Sequence, residues 1–380
     1  MFDVKELKGA LIMKKKLGSL LLAFTLLTSL ALVGCGSAKK NDATATKEKD
    51  MTVGFIYVGP VGDGGYTYSH DMGRKGLEKQ LGVKTLYKES VKENVADVEQ
   101  TCEEMINKGA TVIVGTSFGF MDGMAASAKK HPDVKYLHAS GYTTSTNMST
   151  YFGRIYQARY LSGIVAGMKT KTNKIGYVAA YSIPEVVRGI NAFTLGVQSV
   201  NPKAIVKVKW TNTWYDPAKE KEAGKALIAE GVDVITQHQD TAGPLQAAEE
   251  AGISAIGYNT DMSAKAPKAY MTAPVWNWTP YYVDQIKAIK AGTWKSESYW
   301  KGLESGVVAL APLTKNAPVG AAEAVAKAKA DILSGKNKVF VGPIIDQSGA
   351  VKVAKGIVMT DKELLSFNWF VKGVEGKIAK

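Results

Sequence analysis

The chain has 380 residues, too many for one ordinary domain and enough for two or three folding units. Its composition, 46% hydrophobic and 22% charged with 38 Gly and 12 Pro, excludes disordered and collagen-like chains, and 2 Cys exclude a disulfide scaffold or a cysteine-rich zinc domain. A formal charge of +13 would suit nucleic acid or an anionic membrane surface, but of the 48 basic residues only Arg74, Arg154, Arg159 and Arg188 are Arg, which favours a lysine coat over a base reader.

Lys14 to Lys16 precede an apolar run from Leu17 to Val33, which ends in Gly34-Cys35-Gly36-Ser37. A charged segment, an apolar segment and small residues before a cysteine form a secretion signal of the lipoprotein kind. The expectation is a signal peptide over residues 1–34, with Cys35 diacylated as the mature N-terminus. A transmembrane anchor is the rival reading, but the run falls short of the roughly 20 residues a helix needs to span. Residues 35–50 lack apolar periodicity and read as a flexible tether. The remaining Cys102 lies in a helical pattern and reads as a buried core residue.

From residue 51 the pattern alternates strand and helix. Strands are expected at 52–58, 83–87, 111–114 and 134–138, with helices at 73–81, 94–108 and 121–130 between them. A second run follows, with helices at 158–169, 184–200, 217–230 and 244–251 and strands at 174–180, 204–210, 232–237 and 253–257. Strands at 269–273 and 306–310 and helices at 280–291 and 320–333 read as returns that complete both lobes. The stretch 339–351 reads as irregular or hairpin-like. The class is α/β, with two mostly parallel sheets flanked by helices. Ligands of such sheets bind beyond the carboxyl ends of the strands, so the strand-to-helix loops carry the functional question.

The first loop, Gly59 to His70, holds four glycines beside Tyr66 and Tyr68. It is neither a Walker loop nor a dinucleotide fingerprint, and the tyrosines read as stacking platforms. The third, Gly115-Thr116-Ser117-Phe118-Gly119, matches the GxSxG nucleophile elbow. Ser117 with His238 is therefore a candidate hydrolase pair, although His238 belongs to the other lobe. Phe118 in the same loop is a candidate ligand contact. Later loops carry Trp214, Asp240, Asn259 and Trp276 among amides, a set that suits a flat heterocycle with a polar edge. Four scattered His without HExxH argue against a metal site. No paired carboxylates at a catalytic spacing are visible, so no enzyme activity and no cofactor are expected. Arg188, in the first turns of a helix, calls for an acidic partner, with Glu185 three residues earlier the first choice.

Gly62-Asp63-Gly64-Gly65-Tyr66, Tyr160 to Gly167, Arg188 to Gly196, Val200-Asn201-Pro202, Asn212 to Pro217 and Ile256 to Asp261 together resemble the basic-membrane-protein family of lipoproteins. That resemblance implies a type I periplasmic-binding fold: two Rossmann-like lobes, joined by three crossovers, with a ligand cleft between them. It implies an N-terminal lobe of 51–153 plus 263–302 and a C-terminal lobe of 154–262 plus 303–380. It implies a monomeric substrate-binding component of an ABC importer for purine nucleosides, held at the outer membrane face through Cys35 and served by a separate permease and ATPase. The family's two stacking aromatics fall on Tyr66 and Trp214. Departures from the family concern the sugar. Asn259 stands where an Asp is usual, Trp276 where a Lys is usual, and Asp240 where a Gly is usual. Ligand contacts are therefore expected from Tyr66, Tyr68, Phe118, Trp214, Asp240, Asn259 and Trp276, with a free base, adenine first, as ligand. A nucleoside remains the alternative, and no nucleic-acid binding is expected.

Overall fold

The computed structural model describes residues 51–378; Cys35, the signal segment and the tether lie outside the described residues. The first half alternates β1 (Thr52–Ile56), α1 (Tyr66–Leu81), β2 (Lys84–Lys88), α2 (Val95–Asn107), β3 (Ala110–Gly115), α3 (Met121–Lys130), β4 (Lys135–Ala139) and β5 (Met148–Gly153). The second repeats the scheme with α4 (Tyr156–Lys169), β6 (Lys174–Ala179), α5 (Pro184–Val200), β7 (Ile205–Trp210), α6 (Pro217–Ala229), β8 (Val234–His238), α7 (Gly243–Ala251), β9 (Ser254–Ile256) and β10 (Tyr270–Thr272). Then come β11 (Pro274–Trp276), α8 (Thr279–Lys290), β12 (Ser298–Lys301), β13 (Val308–Leu310) and α9 (Ala321–Leu333). The chain closes with β14 (Ile344–Ile345), β15 (Val351–Val353), α10 (Asp361–Leu365) and β16 (Val374–Glu375).

Two six-stranded sheets result, ordered β12-β5-β4-β3-β1-β2 and β10-β9-β8-β6-β7-β16. Every pairing within them is parallel. Parallel strands carry helices on both faces, which is why β1, β3 and β6 are near-continuous apolar runs rather than alternating ones, and why even the polar end of β8 is buried. Cys102 is fully buried on α2, and burial pushes its thiol up to about 12, so it is inert packing.

Three segments join the lobes. The first leaves β5 for α4; the second and third form the antiparallel ribbon β11–β13. They meet at Gly153, where any side chain would collide with Val308 and Trp276. A glycine is needed there so that the crossovers can touch. β10 pairs with β9 in the second sheet, so the return to the first lobe comes at β11 rather than at residue 263.

Other departures have local causes. Helix α1 begins at Tyr66, two turns before the expected Gly73, because Asp63 caps it from outside the usual position. Its carboxylate accepts from the N–H groups of Gly65, Thr67 and Tyr68 at 2.8, 2.8 and 2.9 Å. Strand β5 carries no apolar alternation, since Ser149 and Thr150 are buried between β4 and β12. The hairpin β14–β15 matches the expected tail, whereas α10, opened by a Thr360–Glu363 capping box, and β16 add to it.

Candidate ligand-binding site

Loops at the carboxyl ends of both sheets line one cleft. The first lobe contributes Val58, Tyr66, Ser117, Phe118 and Ser140; the second contributes Glu185, Trp214, His238, Asp240 and Tyr258. Tyr66, Phe118, Trp214 and Asp240 thus meet in one cleft. Tyr68 does not join them: it lies on the outer face of α1, 37% exposed. Asn259 and Trp276 stand one layer behind.

Tyr66 owes its place to the Asp63 cap, which fixes the first turn of α1, and to an aromatic column beneath it. Its ring meets His70 edge-on at 4.6 Å. His70 stacks on Trp278 at 4.6 Å, and Trp278 on Trp276 at 4.6 Å. Burial holds His70 well below its ordinary pKa, so this ring is neutral and packs as an aromatic. The column therefore runs from the cleft wall to the ribbon between the lobes. Trp214 lies in the loop before α6, whose N-terminus is fixed by Asp216 accepting from Lys219 N–H at 3.1 Å and by Pro217. Its carbonyl accepts from the Asp240 N–H at 3.2 Å, and Tyr181 packs edge-on against its ring.

Asp240 is 3% exposed. Asn259 Nδ2 donates to it at 3.3 Å, and Asn259 Oδ1 accepts from Trp276 Nε1 at 3.1 Å. Asn259 has φ 69°, a left-handed conformation that Asn tolerates better than most residues. Burial, with Asp63 and Glu220 nearby, holds the Asp240 carboxyl well above the usual carboxylate range. Glu185 Oε1 lies 3.3 Å from His238 Nε2. Burial pushes His238 down to about 4 despite that carboxylate, so the imidazole is neutral. Among the described residues no Lys or Arg lines the cleft. Its polar edge includes two carboxyl groups, two serine hydroxyls and a neutral histidine.

The lobes meet across the rim. Thr260 Oγ1 donates to the Gly64 carbonyl at 2.5 Å. Gly65 packs so closely on the Asp240 backbone that a side chain there would overlap its carbonyl oxygen.

Two expectations are corrected. Arg188 does not pair with Glu185: it donates to the Leu364 carbonyl at 2.7 Å and lies over the Trp300 ring, while Glu185 faces His238. Ser117 does not form a nucleophile elbow. Its hydroxyl donates to Glu93, which also accepts the Gly119 N–H, and its backbone is extended with φ −132° and ψ 149°. His238, the candidate base, is directed at Glu185. Sequence reasoning missed Glu185 and Tyr258 as cleft residues. Glu185 is placed by Pro184, which opens α5 at the carboxyl end of β6, and that position was a usable signal.

The sequence profile described as "ABC transporter substrate-binding protein PnrA-like" matches residues 51–341. A purine-binding protein of Brucella abortus is 46% identical over 88% of this chain and 95% of its own. A Haloferax volcanii protein, named as a candidate glucose-binding protein of an ABC transporter, is 37% identical over 90% and 85%. The nucleoside-binding protein BmpA of Lactococcus lactis is 24% identical over 57% and 62%. Among solved structures, an ABC solute-binding protein of Aeropyrum pernix matches with TM-score 0.66 at 19% identity, over 83% of this chain and 97% of that one.

Proposed function

Since the chain belongs to the PnrA-like family of ABC transporter substrate-binding proteins, we propose that it captures a purine free base, adenine first, outside the cell membrane. It acts as a monomer tethered through lipidated Cys35 and delivers the base to a separate permease and ATPase. The observation that carries this reading is the meeting of Tyr66 and Trp214, from opposite lobes, over a polar edge of Asp240 and Glu185. Two aromatic faces contribute about 1–3 kcal/mol each to a stacked base. Micromolar affinity needs about 8 kcal/mol, so edge hydrogen bonds supply the rest. Two carboxyl groups and no cation select a ligand rich in N–H donors and lacking phosphate or carboxylate, as adenine is.

Trp276 is bonded to Asn259 and Asn259 to Asp240, so neither of the two departures from the family offers a charged side chain to ribose hydroxyls. The Brucella relative's name supports the purine. The Lactococcus relative's name supports the second reading, a nucleoside.

Calorimetric titration of ligand-stripped protein with adenine, adenosine and glucose decides among these. Adenine should bind at least about tenfold tighter than adenosine, a gap of only about 1.4 kcal/mol. Adenosine binding as tightly as adenine establishes the nucleoside reading. Heat from glucose and none from adenine overturns the purine altogether.

A further inference from the structure

Arg159 is fully buried on α4. Its Nη1 donates to the Gln237 carbonyl at 2.7 Å, and its guanidinium lies 3.6 Å from the centre of the Tyr258 ring. Its Nε and Nη2 meet no protein acceptor. A buried cation is costly without a counter-charge, and no carboxylate contacts this one directly.

Of the other buried polar atoms without a partner, Tyr177 Oη and His238 Nδ1 lie beside Arg159 Nε. All three atoms surround one small space. A methyl group placed on Gly189 would lie 3.5 Å from Tyr177 Oη, 3.6 Å from His238 Nδ1 and 3.7 Å from Arg159 Nε. Gly189 is one helical turn after Glu185 on the same face of α5. A glycine in a helix interior is unfavourable by propensity, so its lack of a side chain calls for a use.

The geometry points to a binding site for one buried water above Gly189, completing a chain Arg159–water–His238–Glu185 that makes Glu185 the specificity-determining acceptor of the cleft. Buried waters typically make about three hydrogen bonds to groups otherwise unsatisfied, and three groups converge here. Arg159 Nε–H and Tyr177 O–H donate to the water. The water donates to His238 Nδ1, which must then accept. The single proton of the neutral ring is therefore on Nε2, the atom that faces Glu185 at 3.3 Å. The Nε2–H donates to Glu185. Arg159 thus has its counter-charge at the far end of the chain, and Glu185 presents its free lone pairs to a ligand N–H. His238 is a positioning residue; Glu185 is the one that would touch ligand. The ligand role rests on the purine reading above, whereas the water site does not.

Gly189→Ala tests the site. The methyl fits at ordinary contact distance but takes the water's place. Helix propensity alone would raise the melting temperature. The expectation is the opposite: a lower melting temperature of ligand-free protein. Nitrogen-15 NMR should show His238 as the Nε2–H tautomer in the wild type and as a mixture in the variant. Adenine should bind the variant about tenfold more weakly, the scale of one misaligned charge-assisted hydrogen bond. A raised melting temperature with an unchanged His238 tautomer overturns the proposal. So does a high-resolution crystal structure without density between the three atoms. Melting and tautomer are both read without ligand. A wild type that binds no purine but shows both shifts retains the water chain and loses only the purine reading.

Discussion

Gly65→Ala should uncouple ligand capture from folding. Gly65 precedes Tyr66 in the first lobe and packs on the Asp240 carbonyl oxygen of the second, where an added methyl would overlap backbone rather than a movable side chain. Each lobe folds around its own sheet, so the substitution leaves both intact and penalises only their approach. Restoring ordinary contact of about 3.5 Å requires the rim to part by roughly 1 Å or more. That breaks the Thr260–Gly64 hydrogen bond, worth about 0.5–1.5 kcal/mol net. It also draws Tyr66 off the ligand face, forfeiting up to about 1–3 kcal/mol of stacking. Affinity for adenine should fall roughly ten- to a thousandfold, at about 1.4 kcal/mol per decade. Calorimetry gives the affinity, small-angle scattering reports compaction on ligand addition, and a thermal melt of ligand-free protein controls for folding. Wild-type affinity with full compaction would show that the rim contact is not part of the bound state.

Three further outcomes are open to measurement. Tyr66→Ala and Trp214→Ala should each weaken adenine binding by about 1–3 kcal/mol with a smaller change in melting temperature; unfolding of both variants, with normal binding by the folded remainder, would make the rings structural. Burial pushes Asp63 and Glu220 up to about 6 from 3.8 and 4.5. The native state then holds more protons than the unfolded state between those values, so ligand-free stability should fall as pH rises from about 4 to 6, by up to about 1.4 kcal/mol per pH unit for each group. Chemical denaturation of Glu220→Gln should show a shallower fall in that window, and an identical slope would refute the assignment. Finally, Cys35→Ala should abolish partition into detergent and leave an unprocessed precursor; a soluble, correctly cleaved variant would remove the lipid anchor from the reading.

Much of the fold is written locally. Apolar strand runs such as Val112 to Val114, Pro at the first turns of α5, α6 and α7, and glycines closing α1 and α7 report the order of elements without reference to distant residues. The order implies two parallel sheets, because a strand–helix–strand unit closes in only one sense. The ligand loops are legible for the same reason: they lie at carboxyl ends of strands, which is why Tyr66, Phe118, Trp214 and Asp240 could be named from the sequence as cleft residues.

Long-range contacts were not legible. Strand β12 is half exposed and becomes a strand only by pairing with β5, itself polar and recognisable only once covered on both sides. The α1 start depends on a carboxylate three residues upstream reaching back to three amides. The polarity of the cleft was equally hidden. Glu185 and Arg188 are three residues apart and pair naturally on a bare helix, yet tertiary packing sends one to His238 and the other to the Leu364 carbonyl. Asn259 and Trp276 could be read as ligand contacts because loops converge there. Only the folded chain shows the Trp276 N–H bonded to Asn259, Asn259 to Asp240, and the indole wedged where three crossovers meet. Local propensity and periodicity determine elements and their sequence. Which side chain receives a given buried hydrogen bond is decided by competition among partners tens to hundreds of residues away, and that competition is settled only when the lobes are packed.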